Sequence, residues 1–166
     1  MMCPHVLWDN NEAVFRMWYS AGQQYEPNAI GYATSPDGLH WKKLPANPIF
    51  TARADSPWEQ HKVTACQIIP GEDFHLMFYI GFRDEHHAQI GLARSKDGIS
   101  DWQRHQANPI IFPGGDTWDA DSCYKPFAIY DQKSDRWLLW YNGRKGAAEQ
   151  VGLAIHKGLD LGFSPQ

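Results

Sequence analysis

The chain has 166 residues, 43% hydrophobic and 20% charged, which is about one domain of globular composition and excludes a disordered chain. A net charge of −4 gives no reason to expect nucleic acid or an anionic membrane as partner. No run approaches the ~18 apolar residues of a membrane span. The opening MMCPHVLWDNN lacks both a basic segment and a long apolar one, so no secretion signal is expected and the reading is cytoplasmic.

Taken in chain order, the predicted elements are short strands. HVLWD (5–9) and FRMWYS (15–20) flank the turn NNEA. After YEPN comes AIGYAT (29–34), then the hairpin turn SPDG, then WKKL leading to NPIF (41–50). The series starts again with CQIIP (66–70), HLMFYIG (75–81) and QIGLAR (89–94), followed by SKDG and by WQRH leading to NPII (102–111). A third series has FAIYD (127–131), RWLLWYN (136–142) and QVGLAI (150–155), with no fourth strand. These segments are rich in β-branched and aromatic residues, as strands are.

The series is a true repeat. Gly31 and Gly91 are 60 residues apart and Gly91 and Gly152 61; Trp58 and Trp118 are 60 apart, Asn47 and Asn108 61. Four spacings that share one period define units of approximately 1–50, 51–111 and 112–166 in a single domain. Four antiparallel strands per unit predict an all-β fold of β-propeller blades; a β-sandwich built of hairpins is the alternative. Closed propellers have roughly four to eight blades. Three blades leave open sheet edges and apolar flanks, so the chain is expected to be part of a longer protein or to form a homo-oligomer that completes the ring.

Antiparallel order also sorts the loops. Strand starts in the first and third positions of each unit, and the long connections between units, share an upper rim; the remaining turns share a lower one. Asp9, Asp37, Asp97 and Asp131 fall on the lower rim, where Asp37-Gly38 and Asp97-Gly98 read as structural hairpin turns. The upper rim collects carboxylates, basic residues and aromatics, a mixture suited to stacking on sugar rings and accepting hydroxyl hydrogen bonds. Spaced carboxylates there suit glycoside hydrolysis, one as proton donor and one as base or nucleophile. No phosphate loop, HExxH or GxSxG motif is present. Three cysteines without CxxC spacing (Cys3, Cys66, Cys123) predict small buried thiols, no disulfide framework and no zinc site. His86 and His87 alone do not make a metal site, and no cofactor is expected.

The run IGYATSPDGLHW…NPIF, with MWYSAG and LLWYNGR, resembles the five-bladed propeller glycosidases of glycoside hydrolase family 43 and the related families 32, 68 and 130. The resemblance covers essentially the whole chain but only about three of five blades. It implies hydrolysis of plant polysaccharide side chains, such as α-L-arabinofuranosides and β-xylosides, by an Asp base and a Glu acid. The family's base stands directly before a proline. The matching slots here are Cys3-Pro4, Thr64-Ala65 and Lys125-Pro126, none of them acidic, and the family's Glu-Gly-Pro run is absent. The catalytic candidates are therefore other rim acids: Asp121 and Glu149 as leading pair, Glu26 and Asp84 as alternates. His61, Lys62, Trp118, Asp119, Tyr124, Lys125, Asn142 and Arg144 are expected to contact a carbohydrate substrate. A phosphate-dependent phosphorylase and a non-catalytic sugar-binding propeller are the competing readings.

Overall fold

The computed structural model describes residues 2–22 and 27–164, and within them every regular element is a strand. The first sheet contains β1 (Met2–Asp9), β2 (Val14–Ala21), β3 (Ala29–Ser35) and the two-residue strands β4 (Lys42–Lys43) and β5 (Phe50–Thr51). The second contains β6 (Lys62–Pro70), β7 (His75–Phe82), β8 (Ala88–Ser95) and β9 (Gln103–Arg104). The third contains β10 (Ser122–Asp131), β11 (Arg136–Lys145) and β12 (Ala148–Lys157). Each is an antiparallel meander in chain order, and both β4 and β5 pair with β3. The fold is a partial β-propeller.

The predicted fourth strand is interrupted in both blades that have it, and a side chain fills the gap. Asn47 accepts from the Tyr32 amide at 2.8 Å and donates to the Tyr32 carbonyl at 2.8 Å. Asn108 does the same to Leu92, at 2.9 Å in both directions. Each asparagine amide stands in for a strand backbone, so the neighbouring strand keeps its pairing. This explains the repeated ANPI: the Asn-Pro bond is cis at both sites, and the chain rejoins the sheet two residues later.

Blades pack front to back. The back of the first blade (Trp18, Ile30, Tyr32, Phe50) meets the front of the second (Val63, Ile68, Met77, Tyr79, Ala93). The back of the second (Phe78, Ile90, Leu92) meets the front of the third (Cys123, Ala128, Trp137, Leu139). Burying such side chains stabilises by ~1.5–3 kcal/mol each, which makes these interfaces the core. Polar groups pin them. Gln67 exchanges two hydrogen bonds with the Ala128 backbone, at 2.8 and 2.6 Å, and the Trp18 indole donates to the Gly98 carbonyl at 2.7 Å.

The outer faces of the arc are open. Ile30 and Ile90 are fully buried, whereas Val151, at the equivalent position on the third blade, is 69% exposed. Leu153, Ile155, Phe127 and Ile129 join it on the back of the third blade; Val6 and Trp8 are exposed on the first.

Every first strand is longer than its sequence pattern predicts. Each carries a bulge whose central residue has positive φ: Cys3 (50°), Ala65 (36°) and Lys125 (53°). The bulge breaks the alternation that marks a strand, which hides its first half. These are the slots that the family resemblance reserves for Asp-Pro, and in the second blade the bulge residue is Ala65, one position after the expected Thr64. Of the cysteines, Cys123 is buried but Cys3 is exposed, contrary to expectation.

Candidate active site

The upper rim of the third blade brings several predicted residues together. Arg144 and Glu149 were expected in a loop; instead β11 and β12 run on to a tight turn, with Gly146 at φ 60°, and place them directly opposite each other. Asn142 lies opposite Tyr124, two residues along β11. Asn142 Nδ2 donates to Glu149 Oε2 at 3.2 Å, and the Tyr124 hydroxyl hydrogen-bonds to the same carboxylate. Lys125 follows Tyr124 at the bulge, its ammonium 5.2 Å from the Tyr124 ring centre.

The electrostatics follow from those partners. The Tyr124 hydrogen bond, then Asn142, then the charges of Lys125 and Arg144 hold the Glu149 carboxyl below its ordinary range. Glu149 is thus an exposed carboxylate at neutral pH, held by side chains. Burial, then the hydrogen bond to Glu149, pushes the Tyr124 phenol up to about 12, so it stays a donor. Arg144 also anchors the blade to its neighbour, donating to the His86 carbonyl at 2.7 Å and to Ser122 Oγ at 3.4 Å.

The remaining candidates are placed differently. Asp121 Oδ2 accepts from the Gly146 amide at 2.6 Å, tying the start of β10 to the turn between Arg144 and Glu149. Asp84 caps its own loop: it accepts from the amides of His86 and His87, at 2.9 and 3.0 Å, and from the His87 ring at 2.7 Å. Lys62 opens β6 with its ammonium 4.7 Å from the Phe82 ring centre, and His61 lines a recess beside Tyr19 and Asn47. Glu26, with Tyr25, lies outside the described residues.

Trp118 and Asp119, expected to face sugar, are structural. The indole covers Gly143 and Gly152 and stacks on Tyr141 at 5.7 Å, and Asp119 is buried, accepting from Tyr141 Oη at 3.0 Å and from Thr117 Oγ1. The second blade repeats this. Trp58 covers Gly81 and Gly91, and fully buried Glu59 accepts from Tyr79 Oη at 2.9 Å. A β-carbon on Gly81 or Gly143 would fall 2.3 or 2.2 Å from the indole, so both positions require glycine. Burial and the neighbouring Asp119 push the Cys123 thiol up to about 12, which leaves it unreactive at neutral pH. Among the described residues, no group of three His, Cys, Asp or Glu side chains is spaced to hold a metal ion.

No protein-family model matches the chain. An uncharacterized protein of Mycobacterium tuberculosis is 28% identical over 160 residues, covering 92% of this chain and 49% of the relative. An acid beta-fructofuranosidase of Vigna radiata is 28% identical over 117 residues, covering 63% of this chain and 17% of that enzyme. The chain therefore spans about half the length of its mycobacterial relative and less of the plant enzyme. A family 117 glycoside hydrolase of Zobellia galactanivorans superposes with a TM-score of 0.76 at 17% identity, over 95% of this chain and 52% of that one. A thermostable family-43 glycoside hydrolase does so with a TM-score of 0.66 at 15% identity, over 99% and 50%. A GH32 beta-fructofuranosidase of Bombyx mori gives 0.66 at 16% identity, over 95% and 34%. The chain has the fold of the β-propeller glycoside hydrolases.

Proposed function

We propose that this chain carries part of the active rim of a glycosidase acting on furanosides or xylosides, with Glu149 as the ionised base. The observation that supports this most is the Glu149 cluster: an exposed carboxylate held by Tyr124 and Asn142 beside Lys125 and Arg144, on the rim of a propeller-glycosidase fold. A general base must be deprotonated and oriented before it activates water, and the side-chain partners of Glu149 serve both conditions. Asp121, tied to the same hairpin, is the paired acid in this reading; Glu26 and Asp84 are the alternates. Lys125 and Arg144 contact sugar hydroxyls.

The test is release of nitrophenol from aryl α-L-arabinofuranoside and aryl β-xyloside, and of glucose from sucrose, with and without inorganic phosphate. Phosphate-independent turnover that is lost in Glu149→Gln supports the reading. Strict phosphate dependence moves the assignment to a phosphorylase, and sugar binding without turnover to a binding module. We also propose that the open faces of the first and third blades are covered by another copy of the chain. Sedimentation of a well-folded protein as a clean monomer counts against that.

A further inference from the structure

The two seams between blades are built from equivalent positions, but they differ in what can take up a proton. His5 on β1 and Gln67 on β6 hold the same place. Each lies directly across from the aromatic residue, Trp18 or Phe78, that its blade presents to the next one. Gln67 reaches over the second seam and satisfies both backbone groups of Ala128, at 2.8 and 2.6 Å. His5 reaches over the first seam to the backbone of Ile68, the counterpart of Ala128, with one ring nitrogen only. Its Nε2 is buried without a hydrogen-bond partner.

A second histidine enters the first seam from the other side. His75 on β7 stands where the third blade has Trp137. A β-carbon on Gly98 would fall 3.0 Å from the His75 ring and 3.3 Å from the Trp18 indole, which brings both rings to the same turn. His75 Nδ1 is also buried without a partner, and the ring bonds to the Lys96 backbone. The charges that act on His75 are Arg16 on β2, Asp9 at the end of β1 and Asp97 in the turn after β8; among the described residues no charged side chain acts on His5. The second seam has no such pair. His105 has both ring nitrogens partnered, by the Leu161 carbonyl at 2.9 Å and the Ala107 amide at 3.1 Å, and His156 is exposed.

We infer that the first seam is an acid-opened latch: protonation of His5 and His75 parts the first blade from the second, while the second seam stays shut. Each proton adds a charge and an N–H inside a packed interface that holds no acceptor for it. Burial, and at His75 the Arg16 guanidinium next, hold both rings below the ordinary 6.5, against the pull of the Ile68 and Lys96 backbone and of Asp97 and Asp9. The rings are thus neutral in the closed seam and return to the ordinary value when it opens, so the open form takes up protons first. Closure is favoured in full above 6.5 and weakens as pH falls from there to the lowered values, where the loss is complete. Gln67 and Trp137, in the second seam, bind no proton in that range.

Hydrogen exchange followed by mass spectrometry, corrected for the intrinsic effect of pH, reads the blades separately in the whole chain. Between about pH 7.5 and 5.5, opening of the first blade (β2 and β3) is expected to rise by up to about tenfold per histidine, the proton uptake of a group at the ordinary value, and opening of the third (β10 and β11) by less than about threefold. His5→Gln copies Gln67 and His75→Phe copies Phe15, the residue at that position in the first blade. Each change should remove its share of the acid response, and the double variant should be flat. Gln67→His should carry the response to the second seam. An equal rise in both blades of the unaltered protein, a rise in the double variant as large as in the unaltered protein, or a third blade left insensitive by Gln67→His would each overturn the proposal. No enzymatic activity is read, so failure here and failure of the active-site assignment are separate results.

Discussion

The two rims of the arc hold acids of similar character and use them differently. On the lower rim, Asp9, Asp37, Asp97 and Asp131 each accept from backbone amides two or three residues ahead. On the upper rim of the third blade, Glu149 is held by the side chains of Tyr124 and Asn142. All five carboxyls are held below their ordinary range. A depressed pKa is thus no mark of a site here; what distinguishes the acids is their partners. Amides of a local turn fix a corner, whereas side chains converging from two other strands build a surface that a ligand meets.

Exchanging one acid on each rim breaks this comparison most sharply. Glu149→Gln keeps the size of the side chain but removes the base, and is expected to lower kcat by about 10³-fold with the melting temperature unchanged. Asp97→Asn should do the reverse. Its turn also receives Arg16 at 2.6 Å and Trp18 at 2.7 Å from the blade before, so losing it should lower the melting temperature by several degrees and leave kcat in place. Asp37→Asn, whose turn receives no such cross-blade hydrogen bond among the described residues, should cost less. Stability loss in Glu149→Gln with activity intact would return Glu149 to the structural acids.

A buried acid on the upper rim separates position from role. Glu59 is fully buried, with Arg104 Nε 2.7 Å from Oε1 and the Tyr79 hydroxyl on the other oxygen. Glu59→Ala leaves the guanidinium uncompensated under the first blade and should destabilise by about 3–5 kcal/mol in urea unfolding. Asp119→Ala in the third blade orphans the Tyr141 and Thr117 hydroxyls and, among the described residues, no arginine, and is expected to cost about 1–3 kcal/mol.

Sequence periodicity makes the blades legible because each strand's apolar face and each Asp-Gly turn recur with the repeat. It also shows that Trp58-Glu59 and Trp118-Asp119 are equivalent, and the structure gives the reason: both pairs seal a glycine-floored notch. Three things escape it. The bulges at Cys3, Ala65 and Lys125 interrupt the pattern with left-handed residues that no turn signal announces. The two-residue turn at Gly146 turns an expected loop into strand and so aligns Glu149 with Arg144. The use of Asn47 and Asn108 as surrogate backbone depends on a gap between strands, which a linear pattern does not encode.

The smallest expected effect concerns how Glu149 is tuned. The Tyr124 hydroxyl is the largest influence keeping its carboxyl below the ordinary 4.5, with Asn142 next. A base works only when deprotonated, so kcat/KM should fall as pH drops through that lowered value. Tyr124→Phe removes the main donor to the carboxylate and raises the Glu149 pKa, moving the acidic limb of the profile to higher pH while the plateau near neutrality stays in place. Asn142→Ala should move it the same way by less. The sign for folding is parallel. A carboxyl depressed in the folded state adds stability above its unfolded pKa and loses it as pH falls through the folded one, so the Phe variant should show a shallower loss of stability in acid. An acidic limb that does not move in Tyr124→Phe would assign that limb to another carboxyl and leave Glu149 an orienting group, not the base.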